Sequence, residues 1–457
     1  MFSKSTTRRA MVPRAQCRQI APCQWEIPAT TRTGMKVPAR VFAREDMLEG
    51  ILGARSPEQL MSVAALPGIG KVAATRWPDG ILSPVGIRYD IHCGAGLLWP
   101  LPYRDALPPR LAGRGGEFLP GTAEPGDMLR VGAGRAIKNG PGDPRDLERS
   151  GAGGRPDKAD PAAVWGRAKK KGFGLLRTLG PGNHVGKLGW VQVLYAETTA
   201  AVFGLRDQQV AALIHSGSQD LAQQVATDYL KRMMEVMTGY GTHPVDRKLT
   251  GVPLSAPGDP PCVNARAAAA NFAWSNREFI CDALRQARQK VFRQSGKSIR
   301  LLYGVAHTIV TIEEHPVDGS PVKRIIRRKA ATRTFGPGQH LPTRYRPTGQ
   351  PVWTPGSMGS ASPILAGMQR GMEIAFGSCC HVAGRRLSRH AAKKQISGPA
   401  LLARLCREQG IVVCAGSLSG IARKEAWLRP PAGIKADSVR IPKKGNKTNA
   451  FKLRNDP

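Results

Sequence analysis

Apolar positions along the chain fall into two rhythms. Short unbroken apolar runs at 210–214, 301–305 and 411–413 end in small or polar residues, the pattern of strands buried on both faces. A longer Ala-rich stretch at 264–292 spaces Phe272, Trp274, Phe279 and Leu284 so as to cover one face of a helix. Helical spacing also predicts helices at 45–52, 57–64, 218–238, 364–375 and 398–409. The stretches 112–127, 139–161 and 335–356 concentrate glycine, proline and charge and predict connecting loops. Strands and helices alternate without the regular spacing of βαβ units, and no internal repeat is visible. The expected fold is therefore mixed α/β, of the α+β kind, in a single large domain.

Composition narrows the partners. Of 457 residues, 41% are hydrophobic, enough for a real core, which excludes wholesale disorder. The 52 Gly and 37 Pro favour turns and exclude a helical bundle or coiled coil. No apolar run reaches the roughly 18 residues of a membrane span. A formal charge of +35, from 68 Lys+Arg against 33 Asp+Glu, points to a polyanionic partner, nucleic acid first and an anionic membrane surface second. Nine cysteines without a C-x-x-C pair suit a reducing compartment, so a cytoplasmic location is expected. The Arg-rich, acid-poor start has the composition of an organellar targeting peptide but no amphipathic helix. Residues 1–24 therefore read as a disordered basic extension and 436–457 as a flexible basic tail. Basic clusters lie at 167–171, 323–329 and 385–394, and the first reads as a solvated face. With aromatics at 6% and no RNP-like pattern, readout of nucleic-acid sequence by stacking is not expected; recognition of RNA ends and backbone is.

Four histidines share one context. His184 closes Leu179-Gly180-Pro181-Gly182-Asn183-His184, and His215 ends an apolar run and opens His215-Ser216-Gly217-Ser218. His307 ends Tyr303-Gly304-Val305-Ala306-His307, and His381 lies in Cys379-Cys380-His381-Val382-Ala383-Gly384-Arg385. A histidine at a strand end beside small residues projects where a ligand can approach the backbone. A fifth segment, Arg88-Tyr89-Asp90-Ile91-His92-Cys93-Gly94-Ala95-Gly96, adds a carboxylate and a thiol three residues apart. A site mixing Cys, Asp and His suits Mn2+, Zn2+ or Fe2+ better than Mg2+ or Ca2+. Each histidine alone is more often a hydrogen-bonded structural residue than a ligand; recurrence of the context carries the metal reading. The small-residue loop Pro355-Gly356-Ser357-Met358-Gly359-Ser360-Ala361-Ser362 could cradle an anion, although it is no P-loop.

These motifs, with Trp25-Glu26-Ile27-Pro28-Ala29, Arg328-Lys329 and Ala331-Thr332-Arg333, resemble in identity and order the RtcB family of RNA-splicing ligases (3′-phosphate tRNA ligases). The resemblance runs from residue 25 to 435 and implies one RtcB-like catalytic domain, with helices around β-sheets and a metal site at strand ends. It implies a ligase, serving tRNA splicing or RNA repair, that joins an RNA 3′-phosphate or 2′,3′-cyclic phosphate end to a 5′-hydroxyl end with GTP and two Mn2+ ions. By motif, Asp90, Cys93 and His184 resemble ligands of one manganese, and Cys93, His215 and His307 those of the other. His381 resembles the nucleophile that takes GMP as a phosphoramidate. Asn183, His307, Pro355, Gly356, Ser357, Met358, Ser362, His381, Val382, Ala383, Gly384 and Lys435 resemble the guanylate-binding set. The expected partners are RNA ends and GTP, with no membrane, a monomeric chain and room for an activating protein.

The chain also departs from the family's pattern. Lys187 stands where the family has Glu, Gln219 where it has Arg, Thr308 where it has Asn and Val382 where it has Gly. Two family segments are missing, one after Leu66-Pro67-Gly68-Ile69 and one after Leu418-Ser419-Gly420. Two other readings follow: a non-catalytic RNA- and metal-binding relative, and a metal-dependent phosphoesterase acting on cyclic phosphate ends.

Overall fold

A computed structural model describes residues 12–54, 56–66, 69, 74–76, 81–82, 91–101, 145–154, 156, 158–180, 184–240, 249–253, 260–292, 299–317, 320–356, 360–381, 394–409, 411, 413 and 450–454. The chain forms two compact units, one from 1–87, 228–260 and 310–327, the other from 88–227, 261–309 and 328–457.

In the first unit, the strands Arg18–Ala21, Gln24–Ile27 and Ala39–Phe42 form an antiparallel sheet. Its apolar face brings Trp25, Ile27 and Val41 into one core with Leu48 and Leu52 of helix Glu45–Leu52 and Met61 of helix Ser56–Ala64. The Trp25 indole N–H donates to the Ala43 carbonyl at 2.8 Å, so the ring is buried without losing its hydrogen bond. The basic stretch expected to be disordered up to residue 24 is ordered from residue 12. Val12 and Cys17 are buried in the same core, and Arg18 donates to the buried Glu26 carboxylate at 3.0 Å. The positive charge that suggested disorder is here neutralised across a strand pair.

The second unit is built on a seven-stranded sheet in the order Arg300–Ala306, Gly94–Trp99, Val210–Ser216, Val185–Leu194, Ala450–Arg454, Ser362–Ala366 and Pro351–Trp353. Every neighbouring pair is antiparallel. Alternate residues pack to opposite faces: Ala95, Leu97, Ala211 and Leu213 join Phe203, Tyr345 and Trp353, while Leu98, Val210, Ala212 and Ile214 join Ile280 and Cys281 of the helix Pro260–Phe292. Both faces are covered, which is why 210–214 and 301–305 read as unbroken apolar runs.

Several expectations hold closely: helices occupy Glu45–Leu52, Ser56–Ala64, Gln219–Val236, Pro260–Phe292 and Gly398–Gln409. Others change. The helix expected at 364–375 is a strand, Ser362–Ala366, followed by a shorter helix, Gln369–Ala375. Ser362, Ile364 and Ala366 are buried alternately, a period-two pattern that a five-residue run is too short to declare. The loop expected at 335–356 ends in the strand Pro351–Trp353, whose Trp353 is fully buried. The loop at 139–161 contains the helical turn Arg145–Glu148, where buried Asp146 pairs with Arg285. The expected tail contains the strand Ala450–Arg454, paired on both sides. Ile411 is buried, while Val412 and the 112–127 loop lie outside the described residues.

Candidate metal and nucleotide centre

Four neighbouring strands bring their ends to one edge of the large sheet. Register pairs Ala306 with Gly94, Gly94 with Ser216, Ala95 with His215, and His215 with Val185. Two strands therefore arrive at this edge, ending at His215-Ser216 and just before His307, and two depart from it, just after Cys93 and His184. The antiparallel order alternates arrivals and departures, so residues distant in sequence meet as a row.

The row is tightly drawn. The Cys93 Sγ lies 3.3 Å from His184 Nε2 and 3.3 Å from His215 Nε2. Ligand atoms of Cys93, His215 and His307 all lie within 4.8 Å of one another, and all three residues are buried. Ring centroids of His184 and His215 are 5.9 Å apart, and those of His215 and His307 are 5.0 Å apart. His381 completes the cluster: its ring is 5.0 Å from that of His215 and stacks on His307 at 3.2 Å with planes 6° apart.

Backbone and buried polar groups hold the row. His92 takes a left-handed conformation, φ 54°, that turns the chain into Cys93; its N–H donates to the Thr308 carbonyl at 3.0 Å, and the His307 N–H donates to the Cys93 carbonyl at 2.9 Å. Gly94 has no room for a side chain, since a Cβ would lie 2.2 Å from the Val305 carbonyl oxygen. The helix Pro260–Phe292 turns a polar stripe toward this edge. Arg277 Nη1 donates to the His92 carbonyl at 2.7 Å and to that of Ser216 at 3.1 Å, and Asn276 Nδ2 donates to the Ser216 hydroxyl at 3.1 Å. His381 follows the strand Ser378–Cys380, which pairs with Ala331–Arg333. Buried Arg328 clamps that strand pair, donating to the Ser378 hydroxyl at 3.0 Å and the Phe376 carbonyl at 2.7 Å. No role is expected from sequence for Arg277 or Asn276; the available signal is a run of polar residues inside an otherwise Ala-rich helix.

Electrostatics favour neutral ligands. Burial, then the neighbouring His381 and His184, hold the His215 imidazole well below its ordinary range, so it is an unprotonated donor. Burial with Arg277, Arg266 and Arg333 pushes His92 down to about 3. A cysteine sulfur beside clustered imidazoles is a donor set for a transition metal. Bond lengths of about 2.3 Å to sulfur and 2.1 Å to nitrogen separate adjacent donors by roughly 3.1–3.6 Å, bracketing the observed spacing.

Beside the cluster lies the small-residue loop. The Gly356 N–H donates to the Ser362 hydroxyl at 3.0 Å, closing it, and Lys187 Nζ donates to the Gly356 carbonyl at 2.9 Å. Lys187 also helps to depress His215, and the Thr354 hydroxyl reaches the Cys380 carbonyl, one residue before His381, at 3.3 Å. Gln219 Nε2 donates to the Thr178 carbonyl at 3.0 Å, so it braces the chain leading to His184. The structure thus brings together Cys93, His184, His215, His307 and His381, with Pro355, Gly356 and Ser362 alongside. Asp90, Asn183, Ser357, Met358, Val382, Ala383, Gly384 and Lys435 lie outside the described residues, as do the two shortened segments.

Comparison with known proteins agrees with this centre. The family model described as tRNA-splicing ligase RtcB matches residues 63–426, running through residues of both units. The tRNA-splicing ligase RtcB of Thermococcus kodakarensis is 39% identical over 451 residues, covering 91% of this chain and 92% of the relative. That of Archaeoglobus fulgidus is 36% identical over 90% of this chain and 92% of its own, and that of Aeropyrum pernix 37% over 82% and 86%. With the family's Cys and His motifs gathered at one sheet edge and the match covering most of its length, the chain belongs to the RtcB family of tRNA-splicing ligases.

Proposed function

We propose that this protein is an RNA ligase that joins RNA 3′-phosphate or 2′,3′-cyclic phosphate ends to 5′-hydroxyl ends, using GTP and Mn2+. One observation carries the reading: His381 lies against the Cys93, His215 and His307 cluster, its ring stacked on that of His307. Asp90, Cys93 and His184 would hold one ion and Cys93, His215 and His307 the second. Bound there, the metal would supply charge neutralisation at phosphate oxygens and activation of a hydroxyl.

The chain's own residues account for the rest. An imidazole nitrogen of His381 attacks the α-phosphorus of GTP; an N–P bond forms, and the bond to pyrophosphate breaks. The loop at 355–358, Ser362, residues 381–384, Asn183 and Lys435 would seat the guanylate. An oxygen of the RNA 3′-phosphate then attacks the phosphorus held by His381; a P–O–P link forms as the N–P bond breaks and the imidazole is released, and GMP becomes a leaving group. The 5′-hydroxyl oxygen attacks that phosphorus, its proton is lost, and GMP departs. A cyclic phosphate end is first opened by water to the 3′-phosphate. We assign this chemistry to 25–435 and place the protein in the cytoplasm.

A second reading, a relative that binds RNA and metal without guanylylation, draws on Lys187, a cation bonded to Gly356 where the family has a carboxylate. One experiment decides: incubation of the protein with Mn2+ and α-labelled GTP. Acid-labile label on the wild type and none on His381→Ala supports ligation. No label on either removes the ligase reading and leaves the second.

A further inference from the structure

The short helix Gly166–Gly172 carries Arg167, Lys169, Lys170 and Lys171 and no acidic residue. Arg167, Lys170 and Lys171 are three and four positions apart, so they share one face, and all three are exposed. No carboxylate among the described residues forms an ion pair with any of the four. The opposite side is anchored: Ala168 and Gly172 are buried, and a Cβ on Gly172 would lie 2.6 Å from Leu221 Cδ1.

Both ends of this helix carry an aromatic in water. Trp165 is 42% exposed, and Phe173, at 65%, is the most exposed large hydrophobic among the described residues. They cap the helix: the Trp165 carbonyl accepts from Ala168 at 2.9 Å, and the Phe173 N–H donates to the Lys169 carbonyl at 3.1 Å. Eight residues at 1.5 Å rise set them about 12 Å apart, the length of three to four stacked nucleotides. The mount is continuous with the catalytic centre. Leu221 lies six residues after His215, and the chain after Phe173 runs to His184. On that path the Thr178 carbonyl accepts from Asn276 at 3.0 Å and the Leu179 carbonyl accepts from the Ser216 hydroxyl at 3.0 Å.

We propose that Trp165, Phe173 and the Arg167–Lys170–Lys171 face form a docking platform for single-stranded RNA, gripping the unpaired strand beside the end to be joined. The proposal rests on the RNA-ligase reading for its substrate. Phosphates meet the cationic face, and unpaired bases stack on the two aromatics, which a base-paired duplex cannot offer. The platform gives the 167–171 cluster a partner where a solvated face was expected, without any readout of sequence.

The test measures binding of the full chain, without GTP, to a single-stranded 3′-phosphate oligoribonucleotide and to a blunt duplex of the same sequence. The wild type should prefer the single strand. Trp165→Ala with Phe173→Ala should weaken single-strand binding tenfold or more and leave duplex binding and metal content unchanged, while Trp165→Phe keeps most of the affinity. Lys170→Gln with Lys171→Gln should lower the slope of log affinity against log salt by about one to two. If the double aromatic variant melts below the wild type, Phe173→Ser alone serves as the second variant. Single-strand binding equal to wild type in the aromatic variants overturns the platform. So does an equal loss on duplex and single strand, or a loss confined to phosphatidylserine vesicles. Failure of the ligase reading looks different: no guanylylation of the wild type, with the strand preference and its loss in the variants intact.

Discussion

The imidazoles of His307 and His381 lie face to face, with centroids 3.2 Å apart and planes inclined by 6°. One ring is carried from the large sheet and the other from the two-stranded pair that Arg328 clamps. Face contact leaves only ring edges for chemistry, so the two residues can address one small space while doing different things. His381→Ala should therefore abolish GMP labelling, by at least about a thousandfold, while retaining bound Mn2+. His307→Ala should lose both. Metal analysis of the purified variants checks the pair; equal metal loss in the two would refute separate roles.

Arg277 ties the carbonyls of His92 and Ser216 together behind Cys93 and His215. Arg277→Ala should weaken Mn2+ binding by about 10- to 100-fold, the usual effect of removing a group that orients ligands. Titration of the metal-free protein measures this, and an unchanged affinity would show that the sheet alone sets the ligand row.

At Gly94 the next strand's carbonyl oxygen would sit 2.2 Å from any Cβ, and backbone cannot swing aside as a side chain can. Gly94→Ala should destabilise the protein by on the order of 3 kcal/mol. Gly304→Ala should cost less, because its closest obstacle at 2.9 Å is the Trp274 ring. Urea unfolding of both variants tests the order.

Tyr345 donates its hydroxyl to the buried Leu302 carbonyl, and burial pushes its ionisation up to about 12. The folded state holds this proton where the unfolded chain, with a value near 10, releases it. The stabilisation is thus complete below pH 10 and is lost as pH rises through 12, amounting to about 3 kcal/mol. Tyr345→Phe should flatten this alkaline limb of the stability curve; an identical limb in the variant would assign it to another group.

Much of the centre was readable before folding, because its chemistry lies in short motifs. His215 and His307 end apolar runs, and a strand's end is where a side chain meets a ligand, so local pattern alone marks them as candidates. The helix expected at 364–375 takes in residues 364–366 because the strand Ser362–Ala366 is too short to separate period two from period 3.6, and its partner strands come from elsewhere in the chain.

The sequence by itself determined that Cys93, His184, His215, His307 and His381 stand in recurring short motifs, and it determined the basic character of the chain and most of its helices, since each rests on residue type and local spacing. Tertiary structure alone decided that Cys93 meets His215 across 122 positions, that Lys187 closes on Gly356 across 169, and that Trp165 and Phe173 flank an anchored basic helix in water. Those relationships come from strand order and register in an antiparallel sheet and from which face packing leaves open. Both are set by the pairing of distant segments, which no local pattern of residues specifies.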